Sequence, residues 1–412
     1  MPQNKQLHKM TNIQPTTNRI TSLDALRGFA LLGILIMNII SHGLPSSHYT
    51  NPMAGGMLTG ADYWAFTFSQ LFANQKFMSL FSILFGAGIV LLTEKIEKTG
   101  RSAAARHYVR NFWLLLFGLF HAYVIWYGDI LVQYASCSIW LFLFRKKSPK
   151  TLLIWAGIFF LITIGMNLSA GLSMPYWPEE QVAELCQDWK PAAEKMNAEI
   201  VAYQGSWSDH FPYRRDMAFA LETFIFLMGY GWQITALMLI GMALFKSKVL
   251  TAERSSSFYG KMAGIGLSIG LGLGAVGLYQ NGIHDYACDY SFFIGSQFNL
   301  IGSLPMALGY IGLFMWWYNG SGKGFLSKWL APVGRMALTN YLMQSIIATF
   351  IFYGHGLGLF GTVGRANQWW IILGIWIFQI FFSRWWMQHF RFGPFEWLWR
   401  SLTYWRLQPF RK

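Results

Sequence analysis

Apolar residues run along this chain in long blocks, separated by short joints that are basic, polar or rich in glycine and proline. The hydrocarbon core of a bilayer is about 30 Å thick, and about 20 mostly apolar helical residues cross it. A window of that length finds about ten candidate spans, at 23–41, 75–93, 110–127, 130–144, 151–170, 217–245, 262–280, 296–318, 336–353 and 367–384. The alternating pattern of barrel strands is absent, and an open sheet would leave its edge unsatisfied in lipid, so the spans are predicted to be helices. The fold class is therefore all-α, a polytopic integral membrane protein. Spans 110–127 and 130–144 predict a helical hairpin with its tight turn at Tyr127-Gly128-Asp129. A loop at 171–216 is the one sizeable connection, and its residues 179–203 predict an amphipathic helix. The chain thus divides into an N-terminal segment (1–22), a helical bundle (23–384) and an aromatic and basic tail (385–412).

Composition sharpens this picture. Charged residues make up 12% of the chain, against about 25% in soluble domains, while 54% are hydrophobic and 18% aromatic. Disordered chains, coiled coils and disulfide scaffolds are excluded, and too little polar surface remains to cover a soluble core. The net charge of +14 raises nucleic acid as a partner, but the distribution of that charge argues against it. Segments 1–22, 94–110, 145–150, 246–261, 319–335 and 384–412 hold 25 of the 32 Lys and Arg. The alternate connections hold only Lys190, Lys195, Arg214, Arg215 and Arg365. By the positive-inside rule both termini are cytoplasmic, with membrane lipids as the partner surface and no nucleic acid. The apolar stretch after Arg19 is long enough to span and lacks a small-x-small cleavage site, so it reads as a retained anchor. A homodimer is left open.

Ionisable groups inside spans are costly, so each is a functional candidate. Asp24 and Arg27 open the first span. Asp24 reads as a first-turn residue favoured by the helix dipole, and Arg27 either as a snorkelling residue or as a cation holding an anionic cofactor. Asn38 lies near the far end of the same span, followed by His42 and His48. Lys76 begins the second span, as a snorkelling lysine or an inward cation. His121 lies within the third span, either as a helix-to-helix hydrogen-bonding residue or as an acid–base group. Asp129 starts the fourth, as an N-cap or as its partner. A straight helix would separate the two by about 12 Å, so pairing requires the chain to fold back at Gly128. With Glu222, these residues point to an outer chamber of acid–base groups. Asp24, Arg27, Arg335 and the basic tail point to an inner one.

Other features carry less. Gly272-Leu273-Gly274-Ala275-Val276-Gly277 fits G-x-G-x-x-G but lies inside a span with no preceding strand, so it is no dinucleotide loop. Gly266, Gly270 and Gly274, spaced four apart, read as a close helix-packing face. The histidines show no metal-ligand spacing, and no metal is expected. Cys137 reads as a packing residue, and Cys186 and Cys288 fall on the outer side, where a bridge between them can form. The tail from Pro394 to Arg406, with Trp397, Trp399, Tyr404 and Trp405, suits a helix lying in the headgroup layer.

Ordered blocks along nearly the whole chain carry a resemblance. They include Leu23-Asp24-Ala25-Leu26-Arg27-Gly28 through Asn38, Lys76-Phe77, Leu84-Phe85-Gly86-Ala87-Gly88, and His121 with Gly128-Asp129-Ile130-Leu131 and Tyr134. They continue with Tyr230-Gly231-Trp232-Gln233, Gly334-Arg335-Met336-Ala337-Leu338-Thr339-Asn340-Tyr341-Leu342, and Gly393-Pro394 with Glu396-Trp397-Leu398-Trp399-Arg400. With these blocks the chain resembles the YeiB-like family of bacterial inner-membrane proteins, a domain of unknown function. The opening block is also similar to the first helix of the transmembrane acyltransferase superfamily, which includes the lysosomal heparan glucosaminide acetyltransferase.

That second resemblance implies transfer of an acyl group from cytoplasmic acyl-CoA or acetyl-CoA to a lipid or glycan acceptor at the outer face. Arg27 and Arg335, with Asp24 and Asn340 beside them, are then expected to hold the cofactor. One branch of the superfamily has its catalytic His eleven residues after the first-helix Arg, where this chain has Asn38. The heparan-type branch has Asn there and its His eleven residues later, where this chain has Tyr49, with His48 beside it. The base is then His48, His121, or absent, and His121 is preferred because it is embedded and belongs to the YeiB-like pattern. Asp129 would orient it, and Asn38 or Lys76 would stabilise an oxyanion. The alternative is a transporter or exporter of a small anionic or amphipathic solute, against which weighs the lack of an evident internal repeat or paired broken helices.

Overall fold

The computed structural model describes residues 20–49 and 51–412, so the expected N-terminal segment lies, up to residue 19, outside the described residues. The chain forms α1 (Thr21–Gly43), α2 (Gly60–Phe72), α3 (Lys76–Glu97), α4 (Ala103–Phe120), α5 (Leu131–Leu141), α6 (Pro149–Ser173), α7 (Glu179–Trp189) and α8 (Ala193–Gln204). It continues as α9 (Phe211–Glu222), α10 (Gly231–Lys246), α11 (Ser256–Ile283), α12 (Ser296–Trp317), α13 (Lys323–Arg335), α14 (Ala337–Phe352), α15 (Arg365–His389) and α16 (Pro394–Tyr404). Local chemistry marks several starts. Ser102, Ser148 and Ser255 each precede a helix and accept a hydrogen bond from the backbone N–H three residues on, at 3.2 Å.

Eight helical stretches are long and apolar enough to cross a membrane, and two shorter apolar helices, Leu131–Phe144 and Ala337–Phe352, match the fourth and ninth predicted spans. The protein is an all-α polytopic membrane protein. Its described basic joints gather at one end: Arg145 pairs with Glu97, Lys246 donates to the Lys147 carbonyl, Asn319 to that of Ala252, and Arg106 to that of Thr403. We refer to this as the basic end, and to the opposite one, which carries α7 and α8, as the loop end.

Helix α1 is the axis of the bundle, buried on most of its faces against α3, α13, α14 and α15. It crosses α13 at Gly28 and Gly334, where a Cβ on either glycine would collide with the backbone of the other helix. The glycine face of α11 packs on α12 as its spacing predicts: a Cβ at Gly266 or Gly270 would meet Pro305, Met306 or Gly309.

Some expectations need correction. The amphipathic helix predicted over 179–203 is two helices, α7 and α8, separated at Lys190–Ala192 because Pro191 has no N–H to continue the first. Helix α2 is absent from the ten predicted spans, since it is only 13 residues long and carries Asp62, Thr67 and Gln70. The span predicted at 217–245 begins earlier, at Phe211, and is broken at Phe226–Tyr230, where Gly229 takes φ +149°. The tail helix α16 docks on the bundle. Its Glu396 accepts from Leu338 N at 2.6 Å, Thr339 N at 3.1 Å and Thr339 Oγ1 at 2.6 Å, capping the N-terminus of α14. Cys186 and Cys288 form a disulfide, tying α7 to the turn that follows α11, and Cys137 is free and buried.

Candidate functional site

Helix α4 ends in a wide turn, His121–Ile125, closed by Trp126 N donating to the His121 carbonyl at 2.8 Å. Trp126 is extended, the chain then reverses, and α5 starts at Leu131. This re-entry brings Asp129 back beside α4, over Gly118, whose missing Cβ leaves room for the Asp129 carboxylate and Val132. One carboxylate oxygen, Oδ2, accepts from Val132 N at 2.7 Å and so caps α5. The other, Oδ1, lies 2.8 Å from His121 Nδ1. The expected N-cap and the expected partner of His121 are thus one residue in both roles. The roughly 12 Å that a straight helix would impose is removed by the fold-back.

The second ring nitrogen, His121 Nε2, is 2.8 Å from Ser345 Oγ on α14. A carboxylate only accepts, so Nδ1 carries a proton, and in the neutral imidazole Nε2 accepts from the serine hydroxyl. His121, Asp129 and Ser345 are 0%, 4% and 1% exposed. One turn before Ser345, the Tyr341 ring lies 5.0 Å from the imidazole, and its hydroxyl accepts from Ile130 N at 3.2 Å. Helices α4, α5 and α14 therefore fix the centre from three sides.

Against it stands a second imidazole, His42 of α1, whose ring centre lies 4.0 Å from that of Trp126 with the planes tilted by 31°. His42 and Trp126 are buried, and both His42 nitrogens and Trp126 Nε1 have no hydrogen-bond partner among the described residues. Asn38 lies one turn earlier on α1, half-buried. Tyr123, in the wide turn, donates to Glu222 Oε2 at 3.0 Å.

The remaining candidates sit elsewhere. Lys76 is fully buried rather than snorkelling, because the α2–α3 break at Gln75, in the left-handed region with φ 62°, turns it inward. Its ammonium donates to the Gln70 carbonyl at 2.6 Å and to Asn299 Oδ1. His48 lies in the short turn after α1, with its carbonyl accepting from Arg365. Burial and then the Arg365 charge push its pKa down to about 4. None of the contacts of Lys76 or His48 reaches the His121–Asp129 pair.

At the basic end Arg27 pairs with Asp24 at 3.1 Å, and Arg335 Nη2 is 3.5 Å from the Arg391 carbonyl. Arg110 stacks 3.6 Å over Trp399 and Arg106 4.3 Å over Tyr404, so α4 and α16 add cations to this end. Asn340 is buried, and its amide donates to the Val333 carbonyl at 3.1 Å and to Ser383 Oγ at 2.9 Å, linking α13, α14 and α15.

Sequence reading missed Ser345 and Trp126 as members of the centre and left His42 as one polar residue among several. A signal for Ser345 exists: Asn340, Gln344, Ser345 and Thr349 recur within an otherwise apolar helix and are all buried.

The model of a family described as a protein of unknown function (DUF418) matches residues 244–406. The chain is 33% identical over 422 aligned residues to the uncharacterized protein YxaH of Bacillus subtilis, covering 98% of this chain and 99% of that one. It is 32% identical over 391 residues to the uncharacterized protein YeiB of Escherichia coli, covering 93% and 96%. An uncharacterized 39.9 kDa protein encoded in the amylase 3′ region of Bacillus acidopullulyticus is 26% identical over 396 residues, covering 95% of each. No solved structure matches the chain.

Proposed function

The chain belongs to the YeiB-like family, and from that premise we propose that it is an acyltransferase of the bacterial inner membrane, moving an acyl group from cytoplasmic acyl-CoA to a lipid or glycan acceptor. One observation carries this reading. A buried imidazole is held by a carboxylate on one nitrogen and presents the other to a hydroxyl, at 2.8 Å on each side. That is the arrangement by which a general base takes a proton from an attacking hydroxyl while the carboxylate stabilises the imidazolium that forms.

In the proposed reaction the acceptor hydroxyl or amine replaces the Ser345 hydroxyl at His121 Nε2. As it attacks the thioester carbonyl, its proton passes to Nε2, and the new carbon–oxygen or carbon–nitrogen bond leaves a tetrahedral oxyanion. Trp126 Nε1–H and His42, unpartnered and packed beside the imidazole, are placed to donate to it. Collapse breaks the carbon–sulfur bond, and the departing thiolate recovers the proton from His121. Arg27 and Arg335 hold the donor's phosphates at the basic end, on the cytoplasmic side with both termini. Asn340 acts as a positioning residue, and Lys76, already engaged by Gln70 and Asn299, takes no part.

Mass spectrometry of cell-surface lipids and glycans, with and without the gene and with His121→Ala, tests the proposal. A lost acylated species that His121→Ala fails to restore supports it. An unchanged acyl profile, together with no binding of a CoA thioester by the purified protein, overturns it.

A specific observation favours a second reading, transport of a small anionic or amphipathic solute. Helices are interrupted at 73–75, 126–130 and 223–230, the last of these inside a single predicted span. Discontinuous helices around buried polar groups are a transporter device. Uptake of solute by proteoliposomes lacking acyl-CoA separates the two.

A further inference from the structure

At the loop end a different cluster is built around a buried cation. Arg214, in the first turns of α9, is 1% exposed. Its Nε donates to the Tyr123 carbonyl at 3.0 Å and its Nη1 to His210 Nδ1 at 3.3 Å. Its guanidinium stacks 4.5 Å over the Trp207 ring. Among the described residues Nη2 has no partner and no carboxylate pairs with the group. His210, fully buried, accepts on Nδ1, so its neutral ring carries the proton on Nε2, which is also unpartnered. Tyr353, fully buried with its ring 4.9 Å from that of His210, has an unpartnered hydroxyl as well.

The acidic groups that face the cluster are already engaged. Glu199 accepts from Ser46 N at 3.0 Å, and burial pushes its pKa up, toward the neutral form. Asp209 accepts from Ser206 N at 2.7 Å and Ser206 Oγ at 2.8 Å. An isolated buried cation costs several kcal/mol, and each unmade buried hydrogen bond about 1–3 kcal/mol. One positive charge with three unanswered donors is a structure that lacks its anion.

We propose that Arg214, His210 and Tyr353 form a binding site for an oxyanion, a phosphate or carboxylate group, at the loop end of the bundle. A guanidinium edge and two neutral donors match such a group's geometry and charge. Burial and then the Arg214 charge hold the His210 pKa at about 4, so the ring acts as a neutral donor near pH 7. Access is from His355, which is exposed and lies 6.2 Å from the His210 ring. His355 belongs to the segment 354–361, which has glycine at 354, 356, 358 and 361, with Gly358 and Gly361 at φ +68° and +76°. Displacement of this segment admits the ligand. The site stands whether or not His121 is a base.

The chemistry fits a phospholipid headgroup or a free oxyanion, and the test separates them. The full chain is purified in non-ionic detergent, and its unfolding midpoint is followed against inorganic phosphate, with potassium chloride at matched ionic strength as the control. In parallel it is placed in nanodiscs of phosphatidylglycerol or of phosphatidylcholine. A phosphate-specific rise in midpoint identifies a free oxyanion, and a rise only in phosphatidylglycerol identifies a headgroup; either supports the site. Arg214→Gln abolishes the rise, and Tyr353→Phe weakens apparent affinity roughly tenfold, the worth of one hydrogen bond to a charged group. Tyr353→Phe removes only an unpartnered hydroxyl, so it folds at least as stably as the parent and keeps the test valid if Arg214→Gln does not fold. No rise with either anion, or a rise of equal size and affinity in Tyr353→Phe, overturns the proposal.

Discussion

Two buried polar clusters flank the wide turn at the end of α4, and they are finished to different degrees. In the His121 centre, the imidazole and its two partners close on one another: both ring nitrogens and both Asp129 oxygens are engaged. In the Arg214 cluster, each of the three central side chains keeps one donor unanswered. Tyr123 joins them, since its carbonyl takes Arg214 and it lies two residues after His121. A closed network holds its geometry before any substrate arrives, which suits machinery. An open one gains its last bonds from outside, which suits a binding site.

The largest expected effect breaks the centre. His121→Ala should lower acyl transfer by about two to four orders of magnitude, the usual contribution of a positioned acid–base group. It should leave the anion-dependent rise in midpoint intact. A single-turnover assay with labelled acyl-CoA and a phosphate titration on the same preparation check both halves. Loss of both would show that the clusters are one unit.

The helical bundle was legible in the sequence because hydrocarbon thickness imposes a length on apolar runs, and all ten predicted spans have counterparts. What escaped was the interruption inside the span at 217–245 and the way the breaks turn side chains inward. The breaks at Gln75 and Trp126 fall at predicted span ends, but the one at Gly229 keeps an apolar composition and a hydropathy window reads through it; the local forms are a left-handed residue, an extended residue and a positive-φ glycine. The His121–Asp129 pair was half legible. Both residues stood out as ionisable groups in spans, but their contact depends on a fold-back that no spacing rule encodes. Ser345 was invisible singly, since serine is unremarkable in membrane helices. Arg214 was counted only as a charge outside the membrane. Its place in the interior rests on the Trp207 ring and on the Tyr123 carbonyl, 91 residues away in sequence.

Opening the loop end alone sharpens the comparison next. The disulfide joins Cys186 to Cys288 across a sequence separation of 102. Cys288→Ser should cost about 2–4 kcal/mol in stability under oxidising conditions and remove the mobility shift on non-reducing gels. Hydrogen exchange should rise in α7 and α8, which carry Trp189 and Tyr203, and stay unchanged in the α4–α5 hairpin. Equal loosening of both regions would contradict their independence.

Smaller still is the difference between two hydroxyl deletions of similar burial. Ser345→Ala removes a bonded hydroxyl and leaves His121 Nε2 without a partner, at a cost of about 1–3 kcal/mol. Tyr353→Phe removes an unbonded one and should change stability by nothing or raise it slightly. Paired thermal unfolding of the two variants checks this. A destabilised Tyr353→Phe would mean that its hydroxyl is already satisfied.

The last comparison is a slope with pH, and it belongs to the loop end. His210 and His48 have folded pKa values near 4, lowered first by burial and then by Arg214 and Arg365 respectively, with His355 also depressing His210 and Asp209 acting weakly against this. An unfolded histidine titrates near 6.5, so between those values the unfolded chain binds more protons than the folded one. Stability therefore falls as pH drops from about 6.5 to about 4 and levels off below, by at most about 1.4 kcal/mol per pH unit for each residue. Glu199, whose folded pKa is raised, contributes with the opposite sign over its own titration. Hydrogen exchange across 199–215 and 353–361 at pH 7 and pH 5 reads this locally. An oxyanion seated on Arg214 would place negative charge beside His210 and favour its protonated form, raising its pKa toward the unfolded value. Saturating phosphate should therefore flatten the slope at His210 and leave the His48 contribution unchanged. A slope indifferent to phosphate, in a protein whose midpoint phosphate raises, would place the anion away from His210.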